Sequence, residues 1–223
     1  MKLLAVTKAR SLAFIEVDEL NRNGKVRFFD CVASIIEKYQ FAVFPQKTED
    51  FDLESKGVRF ESGRAGDLAI DSLTIYNRAI VLDTFSNTDD SKRIISEMLE
   101  WGKEVLGLTY SPEQITRWGH ISDLLFSTEF PLLAEFSSPL QNLARKTSAW
   151  TEEVFGGLTY QPLSVTIGHD PTVRKNGIAS FLITHRIDTR LDENRYFSEA
   201  PLPTDLHIKC LEEFEADVLT SKK

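Results

Sequence analysis

The chain has 223 residues, 42% hydrophobic and 27% charged, with 26 basic against 34 acidic side chains and a net charge of −8. This is the composition of an ordinary globular protein with a sizeable core. It argues against a broad nucleic-acid-binding surface, because such a surface needs a basic face and both halves are acidic, −3 over residues 1–107 and −5 over 108–223.

The opening MKLLAV is interrupted by Lys8 and Arg10, too early for the apolar region of a secretory signal. No stretch approaches the roughly 20 apolar residues of a membrane span, so a cytoplasmic protein with no membrane contact is expected. Residues 3–7 and 12–17 read as short strands, and Asn23-Gly24 as a turn. Phe28, Cys31, Val32, Ile35, Ile36 and Tyr39 then recur at helical spacing and predict an amphipathic helix over 26–39. Residues 41–44, FAVF, follow as a buried strand stopped by Pro45.

Three strand-like runs, 57–62, 68–76 and 79–85, are separated by short turns and predict an antiparallel meander. Asn87, followed by Asp89 and Asp90, is a helix start: a capping side chain, then acids that suit the positive end of the helix dipole. Its stripe runs through Ile94, Ile95 and Met98, and Gly107 is the expected C-cap. A third helix is predicted over 138–155, with Leu140, Leu143, Ala144, Thr147, Trp150 and Val154 on one face. Residues 158–169 and 177–187 read as long strands, and a last helix begins near Thr204, with Leu211, Phe214 and Val218 on its buried side. The fold class is α+β: antiparallel hairpins in one or two sheets, covered by about four amphipathic helices. With no low-complexity linker, residues 1–223 are expected to form a single compact domain.

The chain also nearly repeats itself. Trp101, Glu104, Val105, Gly107, Leu108, Thr109, Tyr110, Pro112, Thr116, Gly119 and His120 each find the same residue 49 or 50 positions later. Chance gives about one match in twenty. Two explanations stand. One is a duplicated unit, 88–127 and 138–187, whose two lobes would leave a cleft. The other is convergent capping of two helix ends, in which a leucine after the glycine folds back on the last turn.

Chemistry-bearing residues are few and scattered. Cys31 and Cys210 lie on helical stripes and read as buried thiols in a reducing compartment; no metal-type cysteine spacing exists. His120 and His169 occupy matching places in the repeat, near Asp123 and Asp170, but no HxxxH or HExxH spacing supports a metal. His185 lies in THRID, a strand reading that puts Thr184, Arg186 and Asp188 on one face and pairs Arg186 with Asp188. A His/Asp-lined cleft would therefore use His169, Asp170, His185 and Asp188. Arg64, between two glycines in SGRAGD, and the loop pair Arg174 and Lys175 are anion-binding candidates. Arg174, Lys175 and Arg186 are also the residues a nucleic acid would have to use. Arg195, Tyr196 and Phe197 are residue types enriched at interface hot spots. No nucleophile elbow, P-loop or kinase signature is present, and no cofactor is implied. The expectation is a non-enzymatic protein acting through protein–protein contacts, as a homo-oligomer or an accessory subunit; the alternative is an enzyme or small-ligand sensor built on the His/Asp cleft.

Overall fold

In the computed structural model, residues 1–170, 172 and 178–221 are described, apart from the side chains of 153–155. The elements in chain order are β1 (Lys2–Phe14), α1 (Phe28–Tyr39), β2 (Val58–Ala65), β3 (Leu68–Tyr76), β4 (Ala79–Thr84) and α2 (Thr88–Trp101). They continue with β5 (Arg117–Ser127), α3 (Leu132–Glu135), α4 (Ser138–Phe155), β6 (Ser164–Ile167), β7 (Phe181–His185), β8 (Arg195–Ala200) and α5 (Thr204–Thr220). Helices and antiparallel strands thus mix in one chain, as the α+β reading expects.

Two compact units divide the chain. The N unit comprises Thr7–Ser122 and Leu202–Thr204, and the C unit Met1–Val6, Asp123–Pro201 and Asp205–Lys223. The chain passes from one unit to the other inside β1 and inside β5, so no Gly- or Pro-rich linker marks the change.

In the N unit the strand order is β2-β3-β4-β1-β5. The meander closes by two-residue turns, Gly66-Asp67 after the Ala65↔Leu68 pair and Asn77-Arg78 after the Tyr76↔Ala79 pair. α1 buries Val32, Ile35 and Tyr39, and α2 buries Ile94, Ile95, Met98 and Leu99. Both stripes join Phe60, Leu73 and Leu82 in one core. Asn87 Oδ1 caps α2 by accepting from the Asp89 N–H at 2.9 Å. α2 loosens into a π-helical turn, Gly102–Leu106, and ends at Gly107 in the left-handed region.

β1 is one continuous strand where the sequence suggests two. The residues that break its apolar pattern have partners here. Arg10 forks onto Asp83 at 2.7 and 2.6 Å, and Ser11 donates to the Thr88 carbonyl at 2.7 Å. The FAVF segment is not a strand. It makes one bridge, Val43↔Glu61, and leaves Val43 exposed while Phe41 is buried.

In the C unit the order is β1-β5-β8-β7-β6. Leu124, Phe126, Leu132, Leu133, Ile183, Tyr196, Leu211 and Val218 form a separate core. The long strands expected over 158–169 and 177–187 shorten to β6 and β7. β8 was invisible as a strand because its buried positions are Tyr196, Ser198 and Ala200 and its outward ones are Arg195, Phe197 and Glu199, which is no hydrophobic alternation. α5 starts at Thr204 and buries Leu211 and Val218, as expected. Cys210 on it is exposed, and Cys31 is half-buried, so the picture of two buried thiols is corrected: both are free, and one faces solvent.

In chain order the elements run β1-α1-β2-β3-β4-α2 and then β5-α4-β6-β7-β8-α5, with the short α3 between β5 and α4. The helices that follow the two meanders both begin at a threonine. The Thr88 N–H donates to Thr204 Oγ1 at 3.1 Å, and the Thr204 N–H to Thr88 Oγ1 at 2.9 Å. The two copies of the 49-residue repeat end α2 and α4, helices with different places in this order. What the copies share is the cap: Gly107 and Gly156 both have positive φ, at 74° and 65°.

Candidate functional site

α4 is the element whose packing departs most from its sequence. Leu140, Leu143, Thr147 and Trp150 step by 3, 4 and 3 residues and form one apolar seam. In α1 the corresponding stripe is buried. In α4 the seam faces solvent: Leu140 is 39% exposed, Leu143 56% and Trp150 73%. Among the described residues α4 buries none.

The side of α4 turned to its own chain is the small and polar one. Ala144, Arg145 and Ser148 line a groove with Tyr160 and Pro162. Ser148 Oγ accepts the Tyr160 N–H at 2.8 Å and donates to the Ala144 carbonyl at 2.9 Å. Thr147 and Thr151 turn their hydroxyls back onto the carbonyls of Leu143 and Thr147. The Ser148–Tyr160 bond ties the helix to the segment that follows it, while Leu140, Leu143 and Trp150 stay exposed.

Further exposed apolar side chains follow the helix in sequence. Leu158, Tyr160, Leu163 and Ile167 are all exposed, the last at 65%. Ile167 lies on β6, which ends the strand order and, among the described residues, pairs only with β7. The other terminal strand, β2, is guarded: Ala42 and Val43 hydrogen-bond to Ser62 and Glu61 along it. An open edge beside exposed apolar side chains is what folded proteins ordinarily avoid.

Of the residues singled out as interface candidates, Arg195 is exposed and Phe197 half-buried, but Tyr196 is 3% exposed. Its ring stacks on Phe126 at 5.4 Å and meets His185 edge-on at 5.8 Å. Tyr196 is therefore a core residue of the C unit, and truncating it would probe stability rather than contact. Burial also raises its phenol pKa.

The His/Asp candidates do not assemble. His169 and Asp170 are exposed; His169 Nδ1 lies 3.0 Å from the Asp170 carbonyl oxygen. The N–H and hydroxyl of Thr172 both donate to Asp170 Oδ1, holding that carboxyl below its ordinary range. His185 ends β7 against Tyr196. Asp188 lies beyond the strand, exposed and at φ 63°, so the reading that aligned Thr184, Arg186 and Asp188 on one strand face is corrected. Arg64 is exposed on β2 opposite Ala69, with Gly63 inside the strand and Gly66 in the turn, so SGRAGD is a hairpin end. Arg174 and Lys175 lie outside the described residues. Among the described residues, no group of three His, Cys, Asp or Glu could hold a metal ion.

Two serine–histidine pairs escaped the sequence reading, since no motif announces them. Ser198 Oγ lies 2.8 Å from His207 Nε2, both buried, and His120 Nδ1 lies 3.1 Å from Ser11 Oγ. Neither is an activated nucleophile. A hydroxyl has one proton to donate, and Ser198 gives it to the Leu182 carbonyl at 2.7 Å, as Ser11 gives its own to Thr88. Each histidine must then be the donor in its pair, the reverse of a general base.

No model of a known protein family matches this chain, and no curated protein matches it. No helix among the described residues is long and apolar enough to cross a membrane.

Proposed function

We propose that this chain acts through protein–protein contact, as a homo-oligomer that pairs along the seam of α4. One observation carries the reading: an 18-residue helix with an apolar seam leaves Leu140, Leu143 and Trp150 exposed and, among the described residues, buries none. Removing a large apolar side chain from water is worth about 1.5–3 kcal/mol. Leu140, Leu143 and Trp150 therefore leave several kcal/mol of association energy unused. Spacing of 3 and 4 residues is what a second helix accepts between its own side chains. A second copy supplies a matching seam, and a two-fold pair uses the same patch twice.

The test is the double substitution Leu143→Asp with Trp150→Asp. Both side chains are exposed, so the variant should stay folded, with an unchanged far-UV circular dichroism spectrum. Sedimentation velocity should show wild type as a dimer or larger, and the variant as a monomer. Wild type that stays monomeric up to about 100 μM, where even micromolar dissociation constants register, overturns self-association.

A further inference from the structure

We propose that the apolar pocket of the N unit binds the end of an uncharged alkyl chain. The pocket is a cavity of about 90 Å³ between α1, the end of α2 and the 3₁₀ turn Val17–Asn21. Leu20, Val32, Ile35, Met98 and Leu108 line it, and among the described residues no charged side chain does. Asn21, its polar neighbour, is already occupied: its amide donates to the Val26 carbonyl at 2.7 Å and accepts the Val26 N–H at 3.3 Å. A water molecule inside would find almost no partner, and apolar cavities of this kind stay dry and take apolar guests. The cavity is smaller than one of about 150 Å³ that accepts benzene, which favours a narrow chain end over a ring.

An irregular stretch of backbone borders this space. One wall is the π-helical turn Gly102–Leu106, a feature frequent at functional sites. Leu108 folds over Gly102, where a Cβ would come within 3.0 Å of its Cδ1. A side chain at residue 102 would thus press Leu108 toward the pocket. Half-buried Cys31 stands at the rim, and burial raises its thiol pKa.

Methyl NMR of the intact protein, titrated with hexan-1-ol and with hexanoate, tests the proposal. Hexan-1-ol should shift the methyls of Leu20, Val32, Ile35 and Leu108 saturably and leave those of Leu124 and Leu211 in place. Hexanoate should bind at least about tenfold more weakly, because its charge would be desolvated without a partner. Val32→Phe should abolish the shifts, and unchanged methyls of Ile70 and Leu73, in the same core but away from the pocket, show that the N unit of this variant is folded. A second readout needs no variant. Saturating hexan-1-ol should slow alkylation of Cys31 by the factor expected for binding, about tenfold at ten times the dissociation constant, while exposed Cys210 reacts unchanged. Uniform linear shifts, hexanoate binding as tightly as the alcohol, or an unprotected Cys31 would each overturn the proposal.

Discussion

His120 donates through Nδ1 to Ser11 and has Lys92 nearby. Loss of water around its ring, and then that positive charge, hold its pKa below the ordinary value of 6.5; Asp89 opposes them weakly. The folded state therefore binds fewer protons than the unfolded chain over the window between the lowered pKa and 6.5. Stability should be full above that window, fall as pH drops through it, and level off below. In urea unfolding at pH ~5 and ~7, His120→Asn should show a smaller difference in midpoint than wild type, since an asparagine amide can still donate to Ser11 without titrating. An equal difference in both proteins would assign the pH response to other groups. The same scale holds the fork of half-buried Arg10 onto buried Asp83, whose carboxylate also accepts from Ser72 at 3.2 Å. A charge inside a strand is tolerable when it is paired and bonded on every side.

At the scale of elements, one small residue lets a loop cover a sheet edge. Gly63 lies in β2 directly under Phe41, and a Cβ there would come 2.4 Å from the ring. Phe41 is buried against Phe60, with ring centroids 5.3 Å apart, so it has nowhere to retreat. Gly63→Ala should destabilise the fold by about 1–3 kcal/mol, the cost of overpacking, measured as a shift in denaturant midpoint. It should also speed amide exchange at Val43, whose N–H bonds Glu61 across that edge at 3.2 Å. A neutral substitution would mean that Phe41 can repack. α1 and α4 make a related contrast. Both are amphipathic in sequence, yet one buries its stripe and the other exposes it. Amphipathicity states which face wants cover, not which molecule supplies it.

At the scale of the whole molecule, the two cores are separate but share strands: β1 and β5 each contribute residues to both units. Because the chain crosses between the units inside strands rather than in loops, unfolding is expected to be one transition. Methyl signals of Ile95 and Leu211, one from each core, should fade at the same guanidinium concentration. Two separated midpoints would show that the units unfold independently.

The helices and the first meander follow from local information. Periodicity marks α1, α2 and α5, Asn87 caps α2, and two-residue turns close β2, β3 and β4. These features repeat over a few residues and need no distant partner. β5 and β8 stayed hidden, because Ser122, Asp123 and Ser198 are buried polar residues made tolerable by groups far away in sequence, as when Ser122 donates to the Leu202 carbonyl at 3.2 Å. The same distance hid His207 beside Ser198 and the pocket beneath the end of α2. The α4 seam was legible as a pattern, but its exposure was not. Pattern is a property of spacing along the chain, while burial depends on which surfaces the tertiary fold brings against it.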